Sequence, residues 1–176
     1  MMKKLFALSV ILIAFTAGAF AQTNQATATA TATIVTPITI EATGNLSFGN
    51  IVPHASTSGS VTISPDGSAS YSTPDIQYSA SPTATAARTA AIFTVRGTPG
   101  ASYSITLPSG NVELNGPNSN TMNAHTFTSD PSINSGQLSN PGGTQTLRVG
   151  ATLNVTGGQA PGTYTSDNFT VTVNYN

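Results

Sequence analysis

The sequence predicts an all-β protein, an antiparallel sandwich or barrel of about eight to ten strands. Two observations carry that expectation. Apolar residues recur with period two along most of the chain, and the runs are separated by short segments of turn-forming residues. A third is negative. Beyond the first 21 residues no stretch shows a convincing helical period.

Taken in order, residues 1–21 read as a cleaved secretory signal peptide. Lys3 and Lys4 form a positive head, "LFALSVILIAFTAGAF" supplies the apolar run, and Ala19-Phe20-Ala21 fits the small-x-small cleavage pattern. The run is short for a membrane span and no stop-transfer charges follow it. No transmembrane segment is therefore expected in the mature chain, and without a Cys after the small residues no lipid anchor either. The protein is expected to be exported, to the periplasm, the outer cell surface or the medium.

Residues 22–36 are an Ala/Thr-rich edge strand or N-terminal arm. "QATATATATIVTPITIEA" keeps one parity from Ala26 to Ala42. As a single strand it would run about 55 Å, whereas strands usually span about 17–20 Å. Pro37 is the expected break, because it cannot donate a ladder hydrogen bond. Residues 37–176 then form a single β-sandwich domain, beginning with the strand "TPITIEA".

Within that domain, "SVTIS", "AIFTVRG", "ASYSITLP", "TLRVGATLNV" and "NFTVTVNY" alternate apolar and polar residues. The clearest places Leu147, Val149, Ala151, Leu153 and Val155 on one face. "SPDGS", "TPGAS", "NPGGT" and "APGTY" supply the turns. Residues 111–145 look loosest. Short strands are expected near Val112–Leu114 and His125–Thr128, with long surface loops around them. Tyr103 and Tyr164 each follow a Pro-Gly turn and open a strand. They are candidates for a tyrosine corner, a phenol bonded back to loop backbone.

Composition removes several functions. After residue 21 the cations are Arg88, Arg96 and Arg148 against six acids. That is no basic face for neutralising phosphates, so no nucleic-acid partner is expected. With no Cys there is neither disulfide nor thiol nucleophile. His54 and His125 lack metal-pair spacing. Asp66 and Asp130 read as turn formers, and no spacing joins Asp75 to Asp167 as a carboxylate pair. No G-x-S-x-G elbow or calcium loop is present. Catalytic residues, metal ligands and cofactors are all expected to be none. Asn45, Asn154 and Asn168 open N-x-[ST] triplets, which chance explains in so Asn- and Thr-rich a chain.

"GNLSFGNIVP", "VTISPDGS", "FTVRGTPGASYSITLP", "TLRVGATLNV" and "APGTYTSDNFTVTVNY" together resemble the secreted bacterial family known as domain of unknown function 4402. That family has no established activity. It is similar in turn to spore coat protein U and to pilin subunits of the chaperone–usher pathway. The resemblance implies an immunoglobulin-like β-sandwich of the bacterial adhesin or pilin type. It marks Phe169, Val171, Val173 and Tyr175, with Gly162 upstream, as a candidate assembly strand. In pilins an extension from a neighbour fills a groove left by a missing strand. This chain departs in having no cysteine and in offering mostly Ala along its arm. The implied function is a non-catalytic structural or adhesive surface protein, pilin-like, with copies of itself, other surface subunits or a periplasmic chaperone as partners. The alternatives are a stand-alone extracellular module for a carbohydrate or protein ligand and a small outer-membrane β-barrel.

Overall fold

The structure is a computed structural model that describes residues 24–73, 76–78 and 86–176. The signal-peptide reading of residues 1–21 lies outside them. The chain divides into two units, Met1–Thr33 and Ile34–Asn176. Of the first, residues 24–33 are described: they are exposed and hold no regular secondary structure. The strand-competent Ala/Thr alternation therefore forms no ladder among the described residues. Small methyl groups bury too little area to repay the ordering of the backbone.

The second unit is all-β. Its strands are β1 (Thr39–Gly44), β2 (Ser47–Phe48), β3 (Ile51–Val52), β4 (Gly59–Ile63), β5 (Ala69–Tyr71), β6 (Gln77–Tyr78), β7 (Arg88–Thr89) and β8 (Ala91–Arg96). They continue as β9 (Ser102–Thr106), β10 (Val112–Asn115), β11 (Thr121–Asp130), β12 (Gly136–Gln137), β13 (Thr144–Val155), β14 (Thr165–Ser166) and β15 (Thr172–Tyr175). Among the described residues, eight of these fifteen have four or more residues, so the expected strand number describes the principal strands. β1 starts two residues after Pro37, where the break was expected.

β13 organises the large sheet. Its first half, Thr144–Val149, pairs with β8 and its second, Ala151–Val155, with β4, while β11 runs along its other edge. The strand order is β1-β8-β13-β11-β10-β14, every pairing antiparallel. Gly150 sits where β8 gives way to β4, and a Cβ there would overlap the Ile63 carbonyl oxygen. The β4–β5 hairpin is closed by the predicted Pro65-Asp66-Gly67 turn. Gly67 N–H donates to Ser64 O at 2.8 Å, and Gly67 takes φ +85°.

The inward row read from the sequence is buried without exception: Leu147, Val149, Ala151, Leu153 and Val155. It passes through two core clusters. Leu147 and Val149 meet Tyr103, Ile105 and Val173 from a second, three-stranded sheet, β12-β9-β15. Two sheets sharing one apolar layer make a β-sandwich. Ala151, Leu153 and Val155 instead meet Phe48, Met122 and Ala124, in a cluster that holds no described residue of that second sheet.

One sequence expectation needs correcting. Residues 121–130 are not loop around a short strand but a ten-residue strand inside the sheet. A bulge hides it. The register shifts between His125 and Thr128, and Thr126 takes φ +50°. Met122 and Ala124 are buried at even positions; after the bulge, Phe127 packs against the core at an odd one. The extra residue reverses the parity and erases the period-two signal.

Leu153→Ala should lower unfolding stability by about 2–4 kcal/mol, whereas Thr146→Ala, outward on the same strand, should change it by under about 0.5 kcal/mol. Urea melts of the mature protein measure both.

Candidate functional site

The two ends of the large sheet, β1 and β14, line one cavity of about 1000 Å³. Ala42 and Gly44 of β1, followed by Leu46 and Phe48, make one rim. Tyr164, Thr165 and Phe169 make the other, and Met122, Phe127 and Leu153 form the floor. Among the described residues β1 pairs with β8 alone and β14 with β10 alone, so each leaves one backbone edge without a strand partner. β15, at the end of the second sheet, likewise pairs only with β9.

The cavity follows from the uneven second layer. The three-stranded sheet covers the β8 half of β13. Over the β4 half, the short β2 and the segment 160–169 stand opposite the sheet. Phe169 reaches in from the far rim. Its ring lies 6.4 Å edge-on from Phe93 and 5.3 Å from Phe127.

The far rim is fixed by local bonds. The Tyr164 hydroxyl donates to Ala160 O at 2.9 Å, four residues back, and accepts from Gln159 Nε2 at 2.9 Å. The ring fits because Gly116 has no side chain; a Cβ there would overlap it. Gly162 takes φ +151° against Pro117, a conformation that favours glycine. Tyr103 differs from Tyr164. Its hydroxyl donates to the side-chain Oε1 of Gln145 at 2.7 Å, not to loop backbone. Burial pushes its pKa up to about 12.

The four residues of the candidate assembly strand lie together at the C-terminus. Val171 and Val173 are buried, and Phe169 and Tyr175 are half-buried. Thr172–Tyr175 form β15, which pairs with β9 of the same chain. The Tyr175 hydroxyl accepts from Thr98 N–H at 2.7 Å and donates to Thr36 O at 2.6 Å.

The ionisable residues are dispersed. His54 Nδ1 accepts from the backbone N–H of Ser56 and Thr57, which marks a turn. His125 bridges Thr126 Oγ1 at 2.7 Å and Asn154 Oδ1 at 3.0 Å on the outer face. Asp66 accepts from the Ser68 hydroxyl and N–H, bonds that hold its carboxyl below the usual range. Asp130 sits directly across from Arg148 in the β11–β13 ladder and Asp167 lines the cavity, while Asp75 falls outside the described residues. Among the described residues no three His, Asp or Glu gather in a metal-sized cluster.

The sequence pattern of a protein family described as Domain of unknown function (DUF4402) matches residues 38–175. The chain belongs to that family. Comparisons with curated proteins and with solved structures return no match. As a DUF4402 domain, the chain has its family boundary one residue before β1, so the Ala/Thr arm stands outside the matched region.

The near rim of the cavity escaped the sequence reading, although its signal was present. The even-numbered alternation of Ile38 and Ile40 continues through Ala42, Gly44, Leu46 and Phe48. The far rim had no signal, because Phe169 is brought to Phe93 only by the return of β15.

Above the ordinary tyrosine pKa of 10, unfolded chains lose the Tyr103 proton while the folded protein keeps it to about 12. Folding stability is complete below pH 10 and should fall as pH rises from 10 to 12. Melting temperatures across that range should show the drop, and Tyr103→Phe should reduce its slope.

Proposed function

We propose that this protein is an exported, non-catalytic structural subunit of the bacterial surface, whose sandwich accepts an extended strand from a partner in the manner of a pilin. One observation supports the reading above all: among the described residues, the two end strands of the large sheet each have one edge without a strand partner, and both border the same cavity. Protein interiors pack densely and rarely leave voids larger than a water molecule. A space of about 1000 Å³ between strand edges therefore points to an occupant that is another piece of polypeptide. A strand occupies about 4.8 Å across a sheet and about 10 Å between sheets, so the space accommodates roughly six extended residues. Backbone groups on the rims would supply the ladder, and the Phe-lined floor would take alternate side chains.

The arm of residues 22–36 is the natural donor in this reading. Its described part is exposed, holds no regular secondary structure and, over residues 26–33, alternates Ala with the β-favouring Thr. Its small side chains are complementary to a cavity that already carries Phe127 and Met122 on its floor and Phe169 on its far rim. An immunoglobulin-like arrangement of the adhesin type is part of the same proposal, as is passage through the periplasm with a chaperone covering the cavity. An outer-membrane barrel would need a closed ring of strands, whereas among the described residues β1 and β14 share no ladder.

Mature protein taken from the cell surface should run as heat-labile multimers on unboiled gels and as a concentration-dependent series in light scattering. Ala42→Arg places a charge on an exposed rim position. It should abolish the multimers while leaving a folded monomer. A wild-type protein that stays monomeric at every concentration and binds glycans as a monomer would support the stand-alone module instead.

A further inference from the structure

Tyr175 makes a contact that neither the sandwich nor the cavity requires. It ends β15, and its ring lies over Gly97, where a Cβ would overlap the hydroxyl. The hydroxyl reaches across to the segment that precedes β1. There it donates to Thr36 O at 2.6 Å while accepting from Thr98 N–H at 2.7 Å. Thr98 Oγ1 completes the arrangement, accepting from Thr36 N–H at 3.2 Å and lying 3.4 Å from Thr36 O. Both backbone groups of Thr36 are thus satisfied by side chains of one strand end and one turn. Pro37 follows and has no N–H to pair, and Ile38 packs against the core.

Immediately upstream, Ile34 is 97% and Val35 54% exposed. Two branched aliphatic residues beside an apolar sandwich would ordinarily fold down onto it. They stand in solvent next to a residue bonded at both its N–H and its C=O.

We propose that Tyr175 is a positioning residue: with Thr98 it clamps Thr36 and so fixes the point at which the N-terminal arm leaves the domain, keeping Ile34 and Val35 presented to a partner. This rests on the reading of residues 22–36 as a donor arm. The clamp ties β15 to the segment that leads into β1. It also gives Tyr175 a role within its own subunit, distinct from that of a strand offered to a neighbour.

The test is limited proteolysis of the full mature monomer with elastase, which cleaves after small aliphatic residues, with fragments mapped by mass. Tyr175→Phe removes the hydroxyl and keeps the ring. Thr98→Val removes Oγ1 and keeps the backbone N–H that faces Tyr175. Each should accelerate cleavage at positions 34–36 about tenfold, with cleavage elsewhere unchanged and the melting temperature within a few degrees of wild type. Tyr103→Phe, which removes a hydroxyl from the same sheet, should leave cleavage at 34–36 unchanged. The proposal is overturned if neither clamp variant accelerates cleavage there. It is equally overturned if they accelerate it evenly across the 98–101 and 139–144 turns, the signature of a general loss of stability. The readout is taken on monomer, so loss of multimers with an intact clamp would count against the proposed function alone.

Discussion

The structure depends on the two-sided pairing of one strand. β13 carries five inward residues over twelve positions and is bordered along one edge by β11 and along the other by β8 and then β4. That handover needs a residue without a side chain at the junction, because the Ile63 backbone passes within overlap distance of any Cβ at Gly150. With the junction in place, a single apolar row threads both core clusters. With few charged groups and no cysteine for a disulfide, burial along that row and its ladder bonds are the main source of cohesion.

The open cavity is the other side of the same arrangement. A second sheet of three strands is too narrow to cover everything that β13 organises. It covers the half around Leu147 and Val149 with Tyr103, Ile105 and Val173, whereas Leu153 and Phe48, packed in the other cluster, line the cavity together with the 160–169 segment. Exposed strand edges are a hazard for any β protein, since they pair readily with other chains. Here two of them border one cavity, the feature on which the proposed strand-accepting function rests.

Much of the scaffold was legible in the sequence, because period-two alternation and turn chemistry are local signals. β13, β9, β15 and the Pro65-Asp66-Gly67 hairpin all follow from them. β11 was not legible, since the bulge at Thr126 moves Phe127 onto the parity opposite to Met122. The arm's pattern is compatible with an edge strand or an extension, and residues 24–33 hold no regular secondary structure. Alternation showed that residues 25–35 could be a strand, but strand formation also requires a neighbour and enough buried area, and neither is encoded locally. The cavity was hardest. Its near rim continues an alternation visible from Ile38, yet its far rim depends on where β10, β14 and β15 return, which only the tertiary structure sets. The Thr36–Thr98–Tyr175 contact is of the same kind, joining residues 139 positions apart.

The most direct test of the open-ended sandwich is amide hydrogen exchange of the full mature monomer, resolved residue by residue. In antiparallel strands alternate N–H groups point to opposite neighbours. Along β1 and β14, slow and fast amides should therefore alternate, the slow ones bonded to β8 and β10 and the fast ones facing the gap, while β13 is slow throughout. Uniform protection along both β1 and β14 in the monomer would mean that the sheet closes on itself, and would contradict the account.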